Sequence, residues 1–116
     1  MTDNRSILTR LAGIIQDRKQ TPPPRSYTTS LMQGGVEKIG EKVLEEAAEV
    51  VDAARQLEKQ ENRDSDSSAH LVAEAADLTY HLLVMLGYFD LSLTPVENEL
   101  DRRFGVSGLD EKAARE

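Results

Sequence analysis

The sequence predicts an all-α fold, a compact bundle of about four to five helices, on three observations. Apolar residues recur at three- and four-residue spacing in separate stretches. No alternating apolar and polar run exceeds three or four residues. The strongest breakers, Pro22-Pro23-Pro24, Gly34-Gly35 and Gly105, fall where those stretches end.

The first stretch carries Ile7, Leu8, Leu11, Ile14 and Ile15 at helical spacing, with Asp3 as a plausible N-cap and Arg10, Asp17 and Arg18 largely off the stripe. It stops before Thr21-Pro22-Pro23-Pro24, because proline cannot continue a helix. Arg25-Ser26-Tyr27-Thr28 follows, then a turn or two around Ser30-Leu31-Met32 that Gly34-Gly35 terminates. From Val36 to about Lys59 a long helix aligns Val36, Ile39, Val43, Ala47, Val50, Ala54 and Leu57. A second stripe of Lys38, Lys42, Glu45, Glu46 and Glu49 lies beside it. Residues 60–68 are polar and read as a link, with Ser67 or Ser68 to cap the next helix. That helix, about Ala69 to Phe89, is apolar almost all round, the pattern of a central buried helix. The last helix starts at Thr94-Pro95, where Thr94 and Glu97 form a capping-box pattern, and ends at Gly105. A tail with a Ser107-Gly108 turn completes the chain.

At 116 residues this is expected to be one domain, residues 1–116, with 39% hydrophobic and 4% aromatic residues. So modest an apolar supply favours a core completed by homo-oligomerisation. A formal charge of −7 argues against general binding to nucleic acid or to anionic membrane. The absence of cysteine excludes disulfides, thiolate metal sites and a cysteine nucleophile. With no secretory h-region and no apolar run near membrane length, a cytoplasmic setting is expected.

The chemistry lies in two acidic clusters, Glu45-Glu46-x-x-Glu49 and Glu74-x-x-Asp77. On helices, residues three or four apart share a face. Facing each other, the clusters would gather anionic oxygens that repel unless a divalent cation fills the space, and magnesium prefers such donors. Alone, the first cluster reads as a solvated face supported by Lys38 and Lys42, since such pairs are ordinary surface chemistry. The second alters that balance, because Glu74 and Asp77 sit in the most apolar helix, where an unpaired carboxylate costs several kcal/mol. His81 shares the face of Asp77 and suits a hydrogen bond to an acidic neighbour or to substrate. His70, at a helix start, reads as exposed. Gly34-Gly35 and Gly105-Val106-Ser107-Gly108 could offer backbone N–H groups to phosphate, though helix termination accounts for both, and the chain has no P-loop pattern. Arg102-Arg103 suits the negative end of a helix dipole.

Taken together, Lys42-x-x-Glu45-Glu46-x-x-Glu49 and the later Glu74-x-x-Asp77 resemble the MazG-type all-α nucleotide pyrophosphohydrolases. Ser26-Tyr27-Thr28 and Ala76-Asp77-Leu78-Thr79-Tyr80-His81-Leu82-Leu83 are similar to the phosphoribosyl-ATP pyrophosphohydrolase family, over about Leu8 to Arg103. The resemblance implies Mg²⁺-dependent hydrolysis of phosphoribosyl-ATP to phosphoribosyl-AMP and pyrophosphate, the second step of histidine biosynthesis. It also implies a homodimer or higher homo-oligomer. On this basis Glu46, Glu49, Glu74 and Asp77 are expected to hold metal, and Glu45, Glu46 and Glu49 to form the catalytic set, with Glu45 at the water. Lys38, Lys42, His81, Arg102 and Arg103 are expected to contact substrate. Two other readings share parts of the pattern: a house-cleaning hydrolase of ordinary or deoxynucleoside triphosphates, and a non-enzymatic acidic helical module that binds a basic partner.

Overall fold

The computed structural model describes residues 3–61, 63 and 65–105. Four helices follow in chain order, with no strand among the described residues: α1 (Ile7–Gln20), α2 (Tyr27–Glu58), α3 (Ser65–Tyr88) and α4 (Thr94–Phe104). The expected Ser107-Gly108 turn, and Asn62 and Asp64 of the polar link, lie outside the described residues.

Three predicted caps fall elsewhere. Ser6, not Asp3, caps α1 by accepting the Thr9 N–H, while Asp3 instead takes the Arg5 guanidinium at 2.8 Å. Helix α3 begins at Ser65, so Ser67 and Ser68 are already helical and the link is shorter than expected. Helix α4 begins one residue early: Leu93 is its N-cap and makes no side-chain bond, and Thr94 is already inside the helix. A hydroxyl can cap only from a non-helical position, so the capping box does not form. Gly105 closes α4 as expected, its N–H reaching the Asp101 carbonyl at 2.8 Å.

Gly35 splits α2 into two limbs, 27–34 and 36–58. Its φ of 69° and ψ of −163° lie outside the helical region and favour glycine. Contacts to α3 give the direction of each limb. Along the first, Thr28 meets Tyr80, and Met32 lies beside Gly87; along the second, Gly35 approaches Tyr88, Gly40 approaches Met85, and Glu46 faces Asp77. The limbs therefore run in opposite directions along the same helix. Lys38 ties them together, its Nζ donating to Ser30 Oγ at 2.7 Å.

The core is Ile15, Leu31, Ile39, Leu83 and Val84, one residue from α1, one from each limb of α2 and two from α3. On the second limb the predicted stripe holds at Ile39 and Val43 but drifts, so that Ala53 is buried where Ala54 was expected. Helix α3 is central, since both α1 and α2 pack on it, but it is not enclosed. Val72 is 64% exposed, and Leu82 also reaches solvent. Leu44 and Val51 on α2 are open too, Leu44 at 74%. The all-round apolar pattern of α3 exceeds what α1 and α2 can cover. Helix α4 lies off the other three, across a cavity of about 330 Å³ bounded by Leu86, Leu91, Pro95, Val96, Leu100 and Arg103. No helix among the described residues is long and apolar enough to cross a membrane.

Candidate active site

The second limb of α2 and the middle of α3 bring Glu46, Glu74 and Asp77 together, with one carboxylate oxygen from each lying within 4.8 Å of the others. Glu46 points into the helix seam and is only 9% exposed, because its position on the wheel borders the core stripe. Its Oε2 is buried and has no hydrogen-bond partner, and the same is true of Glu74 Oε2. Glu49, one turn along, adjoins Glu46. Two carboxyls can share a hydrogen bond only if one is protonated. Burial first, then Glu49, then the charges of Asp77 and Glu74 push the Glu46 carboxyl up to about 7.

Orphaned, buried, like-charged oxygens are expensive unless a cation or proton neutralises them. Their donor chemistry, all carboxylate oxygen with an open solvent side at Asp77, fits a hard divalent cation that keeps part of its water shell. The residues therefore suit a metal. His70 supports one of them: its Nε2 lies 3.2 Å from Glu74 Oε1, while Oε2 of the same carboxylate has no partner. Sequence reading set His70 aside as merely exposed. The i, i+4 spacing to Glu74 was the available signal.

The other expected site residues are distributed as follows. Glu45 turns outward and pairs with Lys42 at 3.4 Å, which raises the Lys42 ammonium above its ordinary value. His81 is buried one turn beyond Asp77, and both its ring nitrogens are engaged. Nδ1 donates to the Asp77 carbonyl at 2.7 Å, which leaves Nε2 to accept from the Tyr27 hydroxyl at 2.9 Å. Lys38 is committed to Ser30, away from the carboxylates. Arg102 and Arg103 both hold Glu99 on α4, each at 2.7 Å, and keep its carboxyl down at about 2. The structure thus gathers the carboxylates, Lys42 and His81 along one seam. Lys38 and the two arginines stand apart from it.

An aromatic group adjoins the seam at the level of His81. Tyr27 stacks on Tyr80 with centroids 6.2 Å apart, and both rings meet His81 edge-on. Thr28, buried, hydrogen-bonds the Tyr80 hydroxyl. The Tyr27 hydroxyl is raised by burial, and it senses Lys42, Glu46 and Glu45. Its place at the start of the first limb, bonded to His81 beside the carboxylate seam, was not read from the sequence.

Residues 8–104 match the family model described as phosphoribosyl-ATP pyrophosphohydrolase. A phosphoribosyl-ATP pyrophosphatase of Nitrosospira multiformis is 49% identical over 94% of this chain and 83% of its own length. One from Hydrogenovibrio crunogenus is 46% identical over 94% and 92%, and one from Geobacter sulfurreducens 44% identical over 99% and 98%. The chain therefore belongs to the phosphoribosyl-ATP pyrophosphohydrolase family, hydrolases of histidine biosynthesis.

Proposed function

We propose that this protein hydrolyses phosphoribosyl-ATP to phosphoribosyl-AMP and pyrophosphate, with Mg²⁺ held by Glu46, Glu49, Glu74 and Asp77. One observation carries the reading: Glu46 and Glu74, each with a buried carboxylate oxygen that has no partner, gather with Asp77 around one small volume. A fold that needed these charges only for packing would have paired them. Bound there, Mg²⁺ would neutralise the triphosphate and lower the pKa of a coordinated water.

The chain's own residues supply the rest. Glu45, solvent-facing beside the cluster, orients the attacking water or takes its proton, since its carboxylate is accessible and already near a cation. Lys42 sits at the edge of the seam and can leave Glu45 for a phosphate oxygen at small cost, because such exposed i, i+3 pairs are weak. Lys38, Arg102 and Arg103 would have to leave Ser30 and Glu99 to reach the same ligand. The exposed apolar residues Leu44, Val51, Val72 and Leu82 support a homodimer or larger homo-oligomer in which partner subunits cover α2 and α3. The working compartment is the cytoplasm.

The test is pyrophosphate release from phosphoribosyl-ATP in Mg²⁺, beside a panel of ribo- and deoxyribonucleoside triphosphates. Strong preference for phosphoribosyl-ATP is expected. Preference for a simple triphosphate would make the protein a house-cleaning enzyme with the same metal chemistry. Inactivity on every substrate by folded protein would overturn both.

A further inference from the structure

The carboxylates account for a triphosphate but not for the base attached to it. Along α3, His81 lies four residues beyond Asp77, a rise of about 6 Å. That distance is comparable to the ribose separating a 5′-phosphate from its base. At that level the structure places Tyr27, whose ring is constrained on three sides. Tyr80 backs one face, His81 meets it edge-on at 5.9 Å, and the hydroxyl is bonded to His81 Nε2 at 2.9 Å. Even so, Tyr27 is 49% exposed. A tyrosine with its hydroxyl satisfied, one face supported and half its surface open is a pre-organised stacking surface that loses little side-chain entropy on binding.

The electrostatics agree. The Tyr27 hydroxyl lies near enough to Lys42 and Glu46 to sense both charges, so the ring and the carboxylate seam belong to one region of the molecule. Core packing alone explains the buried Thr28 and the partly buried Tyr80. It does not explain why the polar edge of Tyr27 is fixed while its ring is left open.

We propose that the open face of Tyr27 is the platform on which the purine of the nucleotide stacks, held in place by Tyr80 and His81. This rests on the reading of Glu46, Glu74 and Asp77 as the triphosphate end of the site. Base–aromatic stacking contributes about 1–3 kcal/mol per base, so loss of the ring should weaken nucleotide binding roughly 5- to 150-fold. A ligand without a base should be unaffected.

The experiment compares wild type, Tyr27→Phe and Tyr27→Leu in Mg²⁺. Calorimetry follows binding of the α,β-methylene analogue of ATP and of inorganic tripolyphosphate. Tyr27→Leu is expected to bind the analogue at least about fivefold more weakly and tripolyphosphate within about twofold of wild type. Tyr27→Phe, which keeps the ring, is expected to stay within about threefold for both. Equal losses for analogue and tripolyphosphate would show a structural role and overturn the proposal. Unchanged binding of the analogue by Tyr27→Leu, or failure of wild type to bind it, would do the same. Inactivity of wild type on phosphoribosyl-ATP, with Tyr27-dependent binding of the analogue intact, would sink the substrate assignment and leave the platform standing.

Discussion

Helix α3 takes part in two polar seams, and they are built on opposite principles. At its C-terminal end, Lys19 of α1 donates to the Tyr88 carbonyl at 2.8 Å and to Asp90 Oδ1 at 2.7 Å, with Gly87 O at 3.4 Å. Gln16 adds a bond to the same Asp90 oxygen at 3.1 Å. A cation thus sits where the helix dipole is negative, and Lys19 holds the Asp90 carboxyl below its ordinary range. In the middle of α3 the second limb of α2 brings carboxylates against carboxylates, and Lys42 on the same limb turns to Glu45 instead. The first seam is complete within the chain and can only stabilise it. The second is incomplete, and what it lacks is positive charge, the signature of a ligand site rather than a structural one.

The comparison breaks most decisively at Asp77. An Asp77→Ala or Glu49→Ala change should cost on the order of a hundredfold or more in hydrolysis while circular dichroism stays helical, because a ligand is lost from a fold that α1 and the core still hold. Near wild-type turnover by either variant would remove the metal assignment.

The next effect concerns stability without metal. Glu46 has its carboxyl raised in the fold to about 7 from an ordinary 4.5, so the folded state binds the proton more tightly than the unfolded state. Below the ordinary value both states are protonated and no penalty exists. As pH rises through the window to about 7 the fold becomes less stable, by roughly 3 kcal/mol at most. Chelated protein should therefore melt higher at pH 5 than at pH 8, and Glu46→Gln should flatten that difference. Mg²⁺ at a hundredfold over its Kd should restore about 3 kcal/mol at pH 8 in wild type alone. A pH-independent melt of the chelated wild type would contradict the burial argument.

At the complete seam the expected changes are smaller and purely structural. Lys19→Met removes the donor from the α3 carbonyls and should lower the Tm by a few degrees, about 1 kcal/mol, with hydrolysis and Mg²⁺ stabilisation unchanged. Any loss of metal response in that variant would show that the two seams are coupled. Smaller still is the effect expected of Arg102→Gln: its partner Glu99 is exposed, so the melt should not move measurably, and a fall in hydrolysis would bring the arginine to the substrate.

Much of this was legible from residue spacing. The apolar periodicity located all four helices, Gly35 was read as a stop, and Glu46 on the border of the core stripe was enough to place a carboxylate in the seam. Capping was less legible, because Ser6, Asp3 and Thr94 all suit an N-cap and the choice depends on where the backbone leaves the helical region. Lys38 was equally opaque: it shares a stripe with Lys42, and only the reversal at Gly35 brings Ser30 within its reach. Tyr27 and His81 are separated by 54 residues, so their contact depends on tertiary geometry that no local pattern encodes.

Gly35 also acts as the fulcrum of a ruler. Tyr27 stands eight residues before it and Lys42 seven after, and the two limbs carry them back to the same level of α3. The length of the first limb therefore decides what stands opposite the carboxylates, while the second limb and α3 alone decide the carboxylates themselves. Adding one residue between Tyr27 and Gly35 would turn that aromatic by about 100° and displace it by about 1.5 Å, leaving every acidic side chain where it is. In such an architecture the choice of base can drift by insertion in one limb while the hydrolytic centre stays intact.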